Sequence, residues 1–165
     1  MHRLGVRLGA EDREVTPIWS FGPEAAPADR PEGGSITVPY PHNTVTYQYD
    51  RETNSYLRSV SGEGKQIDVA TDRQVAPKNV VIMHVRFIDT GDSKLRLDGE
   101  VIGEGKAEIA TNGRIIRGTW KKADETDPTR FYDADGDPIV FTAGQTFIQV
   151  VPTDIKVTMT EGEGS

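Results

Sequence analysis

The chain has 165 residues, 35% of them hydrophobic, and a net charge of −7: enough for one ordinary core, and too acidic for non-specific binding to nucleic acid. Cysteine is absent, which excludes disulfides, thiolate catalysis and cysteine-held metals. No stretch approaches the roughly 18 apolar residues of a membrane span, and Met1 to Ala10 lacks the apolar region of a signal peptide.

Residues 1–21 read as the end of a preceding domain. HRLGVRLGA has basic, helical character, and Thr16-Pro17-Ile18-Trp19-Ser20-Phe21 reads as a brief strand whose two aromatics need a surface to cover. Residues 22–34, GPEAAPADRPEGG, are rich in Pro, Gly and charge with nothing to bury, which predicts an exposed linker. The main domain is expected over residues 35–160, and the terminal EGEGS, residues 161–165, is expected to be a disordered tail.

From Ser35 onward the hydrophobic period is two. Val45, Tyr47 and Tyr49 alternate with Thr44, Thr46 and Gln48, and Asp50 to Asn54 turns the chain into a second strand at Tyr56 to Val60. Val80 to Ile88 (VVIMHVRFI) is apolar at nearly every position and β-branched, which predicts a central strand buried on both faces. Leu95, Leu97 and Val101 start another strand and Ala107 and Ile109 the next. Asn112-Gly113 then supplies the two positive φ angles of a type I′ hairpin before Ile115-Ile116.

Asp135-Gly136 repeats the turn signal between Phe131-Tyr132 and Ile139-Val140-Phe141. Phe147 to Val151, and then Ile155, Val157 and Met159, supply the last two strands. The pattern predicts an all-β fold, an antiparallel sandwich or partly open barrel of about eight to ten short strands.

Signatures of catalysis are sparse. There is no G-x-S-x-G elbow and no phosphate-binding G-x-x-x-x-G-K-[ST] loop, and Gly103-Glu104-Gly105 lacks the third glycine of a dinucleotide fingerprint, so no cofactor is expected. Glu104 and Glu108 form a carboxylate pair of the kind any acidic chain offers. Of the histidines, His84 sits in the apolar run, where a hydrogen-bonded structural role is the commoner outcome; His42 lies in a proline-kinked loop. Asp133, Asp135 and Asp137 suggest a weak calcium site, but the register is not that of an EF-hand, and a plain turn explains them better.

Arg117, Trp120 and Arg130 are the more telling set. Arg117 and Thr119 share one strand face and Ile116, Gly118 and Trp120 the other, with Gly118 leaving room for close approach. Two arginines in one pocket would suit a carboxylate or phosphate; Arg130 paired with Asp133 or Asp135 would instead lock the turn.

Five blocks carry a family resemblance: Tyr49 to Arg58, Ala76 to Val81, Gly118 to Lys122, Thr129 to Asp133 and Gly144 to Pro152. In order and over roughly residues 35–152, they resemble the C-terminal domain of the YerB-type bacterial lipoprotein family, whose function is not known. Within that pattern Arg58, Lys78, Asn79, Trp120, Arg130, Tyr132 and Asp133 match motif positions and become binding candidates beside Arg117. The resemblance implies a preceding N-terminal domain, export and a lipid anchor upstream. It points to a non-catalytic β module that binds an envelope protein or cell-wall ligand. The alternative is an accessory domain of a cell-wall-acting hydrolase or transferase with its site at the domain junction.

Overall fold

The computed structural model describes residues 17–89, 91 and 97–164; the basic segment read as a helix end lies outside the described residues, as does Leu95. In chain order the strands are β1 (Ser20–Gly22), β2 (Glu32–Pro39), β3 (Thr44–Asp50), β4 (Ser55–Val60), β5 (Gly64–Lys65), β6 (Ile67–Asp68), β7 (Arg73–Gln74) and β8 (Asn79–Val85). There follow β9 (Phe87–Asp89), β10 (Leu97–Gly99), β11 (Gly103–Thr111), β12 (Arg114–Lys122), β13 (Arg130–Asp133), β14 (Val140–Thr142), β15 (Thr146–Pro152) and β16 (Thr158–Glu163).

Ten of these strands form two five-stranded sheets, ordered β16-β2-β3-β4-β5 and β13-β12-β11-β8-β15. One core cluster lies between them: Ile36, Val38, Val45, Tyr47, Tyr49, Tyr56 and Val60 of the first sheet meet Val80, Ile82, Ala110 and Val151 of the second. The architecture is the expected β sandwich, and neither sheet closes into a barrel.

β8 is the central strand that its apolar run predicted, with all seven residues buried, but it ends at Val85: Arg86 is exposed and Ile88 lies exposed in β9. Val80 and Ile82 point into the space between the sheets, while Val81, Met83 and Val85 point to the opposite face. That outer face has a core of its own. Ala107, Ile109, Trp120, Phe131, Ile139 and Phe141 fill it, and Trp19 packs over them with ring centroids 5.7 Å from Phe131 and 5.2 Å from Phe141. A sheet covered on both faces tolerates parallel pairing, and β15 runs parallel to β8, from Thr146 opposite Asn79 to Pro152 opposite Val85. β1 likewise pairs in parallel with β14.

The turn chemistry follows the sequence. β3 and β4 form the expected hairpin, with Tyr49 opposite Tyr56, and Asn54 takes a φ of 49°. β11 and β12 join through Asn112 (φ 50°) and Gly113 (φ 73°), the type I′ requirement.

The segment Gly22 to Gly34 departs from a plain linker at Arg30 and Pro31, both buried. Arg30 donates to Ala25 O (2.8 Å), Arg51 O (3.0 Å), Glu52 O (3.3 Å) and Glu24 Oε2 (3.1 Å), so one guanidinium ties the segment to the β3–β4 turn. At the other end β16 continues to Glu163, pairing Glu161 with Gly34 and Glu163 with Glu32. Residues 161–163 are therefore paired rather than a free tail, held by backbone hydrogen bonds that need no core side chain.

Gly118 confirms the close approach inferred for it. A Cβ there would lie 1.8 Å from Tyr132 O on β13, and backbone cannot move away as a flexible side chain can. Gly118→Ala is expected to destabilise the protein by about 1–3 kcal/mol, in line with overpacking elsewhere. Urea unfolding checks this: an unchanged midpoint would mean that β13 yields freely.

Candidate functional site

Where β8 and β11 run past the first sheet, the inward-facing side chains turn from apolar to charged. The face that carries Ile82 and Ala110 in the core continues into His84 on β8 and into Glu108 and Lys106 on β11, because alternate residues share a face. The β15–β16 connection, Thr153 to Val157, passes over them. The result is an open cavity of about 480 Å³ lined by His84, Lys106, Glu108 and residues 153–157.

Glu108 is the anchor of this cavity. Its carboxylate is buried, with Oε1 2.7 Å from Lys106 Nζ and Oε2 3.6 Å from His84 Nε2. The neighbouring His84 ring and the Lys106 ammonium outweigh the penalty of burial and hold the Glu108 carboxyl down at about 2. His84 is 8% exposed, and its Nε2 is enclosed without a hydrogen bond among the described residues. The backbone of His84 is engaged separately, its carbonyl accepting from Trp120 Nε1 at 2.8 Å.

The residues singled out in the sequence fall into separate places. Trp120 lies in the outer core, 2% exposed. Asn79 is fully buried and saturated: Nδ2 donates to Thr142 O and Thr146 Oγ1, and Oδ1 accepts from Thr111 Oγ1 and Thr142 N. It fastens β8, β11, β14 and β15 at one point. Lys78 pairs with Glu24 and donates to Thr53 O, each at 2.5 Å.

Arg117 is exposed and stands opposite Glu108 in the ladder, hence on the cavity side of the sheet. Arg130 does not join it, and donates instead to Ile18 O at 3.2 Å. Tyr132 lies under Lys121, 5.6 Å from Nζ to the ring centroid. Asp133 Oδ1 accepts from the backbone N–H groups of Asp135 and Asp137, each at 2.9 Å, which spends that oxygen on the turn. Among the described residues no three His, Asp or Glu side chains gather as a metal site. Arg58 is buried on β4, in the other sheet from His84, and is not among the residues that line the cavity.

Of the cavity residues, Lys106 was missed in the sequence, and Glu108 was read only as a partner of Glu104. The spacing of two between Lys106 and Glu108 places both on one face of a strand, but only the register of β11 against β8 brings His84 beside them.

Together these features define a two-layer β-sandwich module with an ion-paired cavity at one end. The chain belongs to the family described as Protein of unknown function (DUF3048) C-terminal domain, whose model matches residues 36–148. It is 27% identical over 161 residues to the Bacillus subtilis (strain 168) protein named "Putative lipoprotein YerB", covering 92% of this chain and 45% of that protein. The crystal structure of the YerB protein from Bacillus subtilis superposes with a TM-score of 0.68 at 23% identity, over 85% of this chain and 46% of that one, which shows the shared fold. The chain thus spans less than half the length of the relative it matches.

Proposed function

We propose that this chain is a non-catalytic β module of an envelope lipoprotein-like protein and that it binds a ligand or partner in the cavity of His84, Lys106 and Glu108. The observation that carries this reading is the placement of the buried Glu108 carboxylate 2.7 Å from Lys106 Nζ and 3.6 Å from His84 Nε2, which favours its charged form. A proton-transferring carboxyl works best with a pKa near the operating pH. Glu108, held at about 2, is a fixed charge at neutral pH and serves recognition rather than proton transfer. The name of the Bacillus relative, a lipoprotein, supports an anchored, extracytoplasmic location for the longer protein. No helix among the described residues is long and apolar enough to cross a membrane.

The test is a thermal-shift series with soluble cell-wall fragments, since a ligand that binds only the folded state raises the melting temperature by mass action. At least one fragment class is expected to stabilise the wild type and not Lys106→Ala/Lys156→Ala, a variant at two exposed positions of the cavity rim. If every class leaves wild type and variant alike, the cavity is not the site.

One observation favours the second reading, an accessory domain working at a junction. Ile18 and Phe21 are 50% and 52% exposed and, with Pro17, Trp19, Pro128, Thr129 and Ile148, line an apolar groove of about 400 Å³ where the described chain begins. A preceding domain seated there would place a shared site beside β1. Hydrolysis of cell-wall material by the full-length protein, lost on Phe21→Ser with the fold intact, would favour that reading.

A further inference from the structure

Arg30 and Arg58 are both buried, 7% and 8% exposed, and their surroundings differ sharply. Arg30 spends its guanidinium on three carbonyls and on Glu24. Arg58 donates through Nε alone, to Tyr47 Oη at 3.1 Å, and among the described residues it has no carboxylate partner. Among the described residues neither Nη nitrogen has a hydrogen bond, and neither is among the enclosed atoms lacking a partner, which leaves both open to solvent. A buried cation normally acquires an anion or a full set of acceptors, because desolvation is costly.

Here the neighbours hold the cation without satisfying it. The guanidinium carbon lies 4.9 Å from the Phe147 ring centroid and 5.7 Å from that of Tyr47. Tyr47 Oη donates onward to Gln149 Oε1 at 2.8 Å, Gln149 Nε2 donates to Tyr40 Oη at 2.5 Å, and Tyr40 Oη donates to Val150 O at 2.8 Å. Every member of this relay has one direction open to it, so Tyr47 can only accept from Arg58 and the guanidinium plane is fixed. Beside Arg58, Gln66 donates its backbone N–H to Arg58 O at 3.1 Å, and the side-chain Oε1 of Gln66 is enclosed with no partner among the described residues. Gln66 Oε1 is closed to solvent, so the Arg58 donor fork is the group open to a ligand at this rung.

We propose that Arg58 is the centre of a binding site, separate from the His84 cavity, for a carboxylate monoanion, the chemistry of a small organic acid or a peptide C-terminus. Nη1 and Nη2 take the two carboxylate oxygens as a fork. A single guanidinium matches one negative charge. Lys65, the cation next along the chain from Gln66, stands opposite Ser59 and so belongs to the other face of the sheet, which leaves a phosphate dianion half neutralised.

The experiment follows the Arg58 Nε–Hε and Gln149 side-chain resonances by ¹H–¹⁵N NMR while the wild-type chain is titrated separately with N-acetylglycine, N-acetylglycinamide, acetate and inorganic phosphate. N-acetylglycine and acetate are expected to give saturable shifts at both groups, and the neutral amide and phosphate none. Arg58→Lys, which keeps the charge and loses the fork, is expected to weaken N-acetylglycine about tenfold or more, the equivalent of one charge-assisted hydrogen bond. N-acetyl-triglycine with a free carboxylate separates the sources: tighter binding than N-acetylglycine assigns a chain terminus, equal or weaker binding a small organic acid. Shifts from phosphate that match or exceed those from N-acetylglycine would overturn the proposal, as would no saturable shift in the wild type or unchanged affinity in Arg58→Lys.

Discussion

Trp120→Ala is expected to cost about 4–6 kcal/mol, a large share of the roughly 5–15 kcal/mol that holds a domain together. The indole does two things at once. It fills the outer core with Phe131 and Phe141, and it reaches across the neighbouring strand to donate to His84 O on β8. Gly105, opposite Trp120 in the ladder, makes that crossing possible, since a Cβ there would lie 2.5 Å from Trp120 Nε1. Deletion leaves a cavity, worth about 3–5 kcal/mol for a large aromatic, and an unpaired buried carbonyl, worth about 1 kcal/mol or more. The melting temperature should fall by roughly 10–20 °C, on a scale of about 2–4 °C per kcal/mol for a chain of this size. Trp120→Phe keeps most of the packing and loses the donor, so its cost should be nearer 1–2 kcal/mol. Chemical denaturation of both variants settles the point. An alanine variant within 1 kcal/mol of wild type would mean that Trp120 is not what holds β12 to β8 and is free for a ligand.

The same residue shows how far the sequence could be read. Alternation placed Trp120 on the face opposite Arg117 and Thr119, and the ladder agrees. Alternation alone does not say which of the two faces is core: β8 is buried on both faces, whereas on β12 the Trp120 face is buried and the Arg117 face is exposed. The β3–β4 and β11–β12 hairpins were legible because their signals, Asn54 and Asn112-Gly113, act within a few residues. The parallel pairing of β15 with β8 was not, since it joins segments 67 residues apart through side chains that suit either orientation.

The last strand shows a different limit. Its expected apolar members Ile155 and Val157 lie in the crossing over the His84 cavity, and the strand itself begins at Thr158. Its closing residues, Glu161 to Glu163, carry no hydrophobic pattern, and Gly162 fits there because a Cβ would lie 2.2 Å from Glu32 O. Pairing by backbone alone leaves little trace in composition. Arg30 was equally silent: in a segment of Pro, Gly and Ala, nothing announces that one guanidinium finds four acceptors.

Glu108 supplies the other large effect, and its direction is fixed by linkage. The folded-state pKa of about 2 lies below the ordinary value of 4.5, so the carboxylate binds protons less readily in the folded chain than in the unfolded one. The stability it contributes is fully present above about pH 4.5 and is lost as the pH falls toward 2. Each unit of displacement is worth about 1.4 kcal/mol, and Lys106, which supplies part of it, is 60% exposed and screened by water. A contribution of roughly 2–3 kcal/mol at neutral pH is the reasonable expectation. Glu108→Gln keeps the shape and removes the charge, so the gap between wild type and variant in urea should be of that size at pH 7 and should close progressively below pH 4.5. Raising the salt concentration should narrow the gap only in part, because His84 and Glu108 meet inside the sandwich rather than on its surface. A gap that persists unchanged at pH 2 would show that the side chain acts through packing alone. That result would remove the fixed charge on which ligand recognition in the cavity depends.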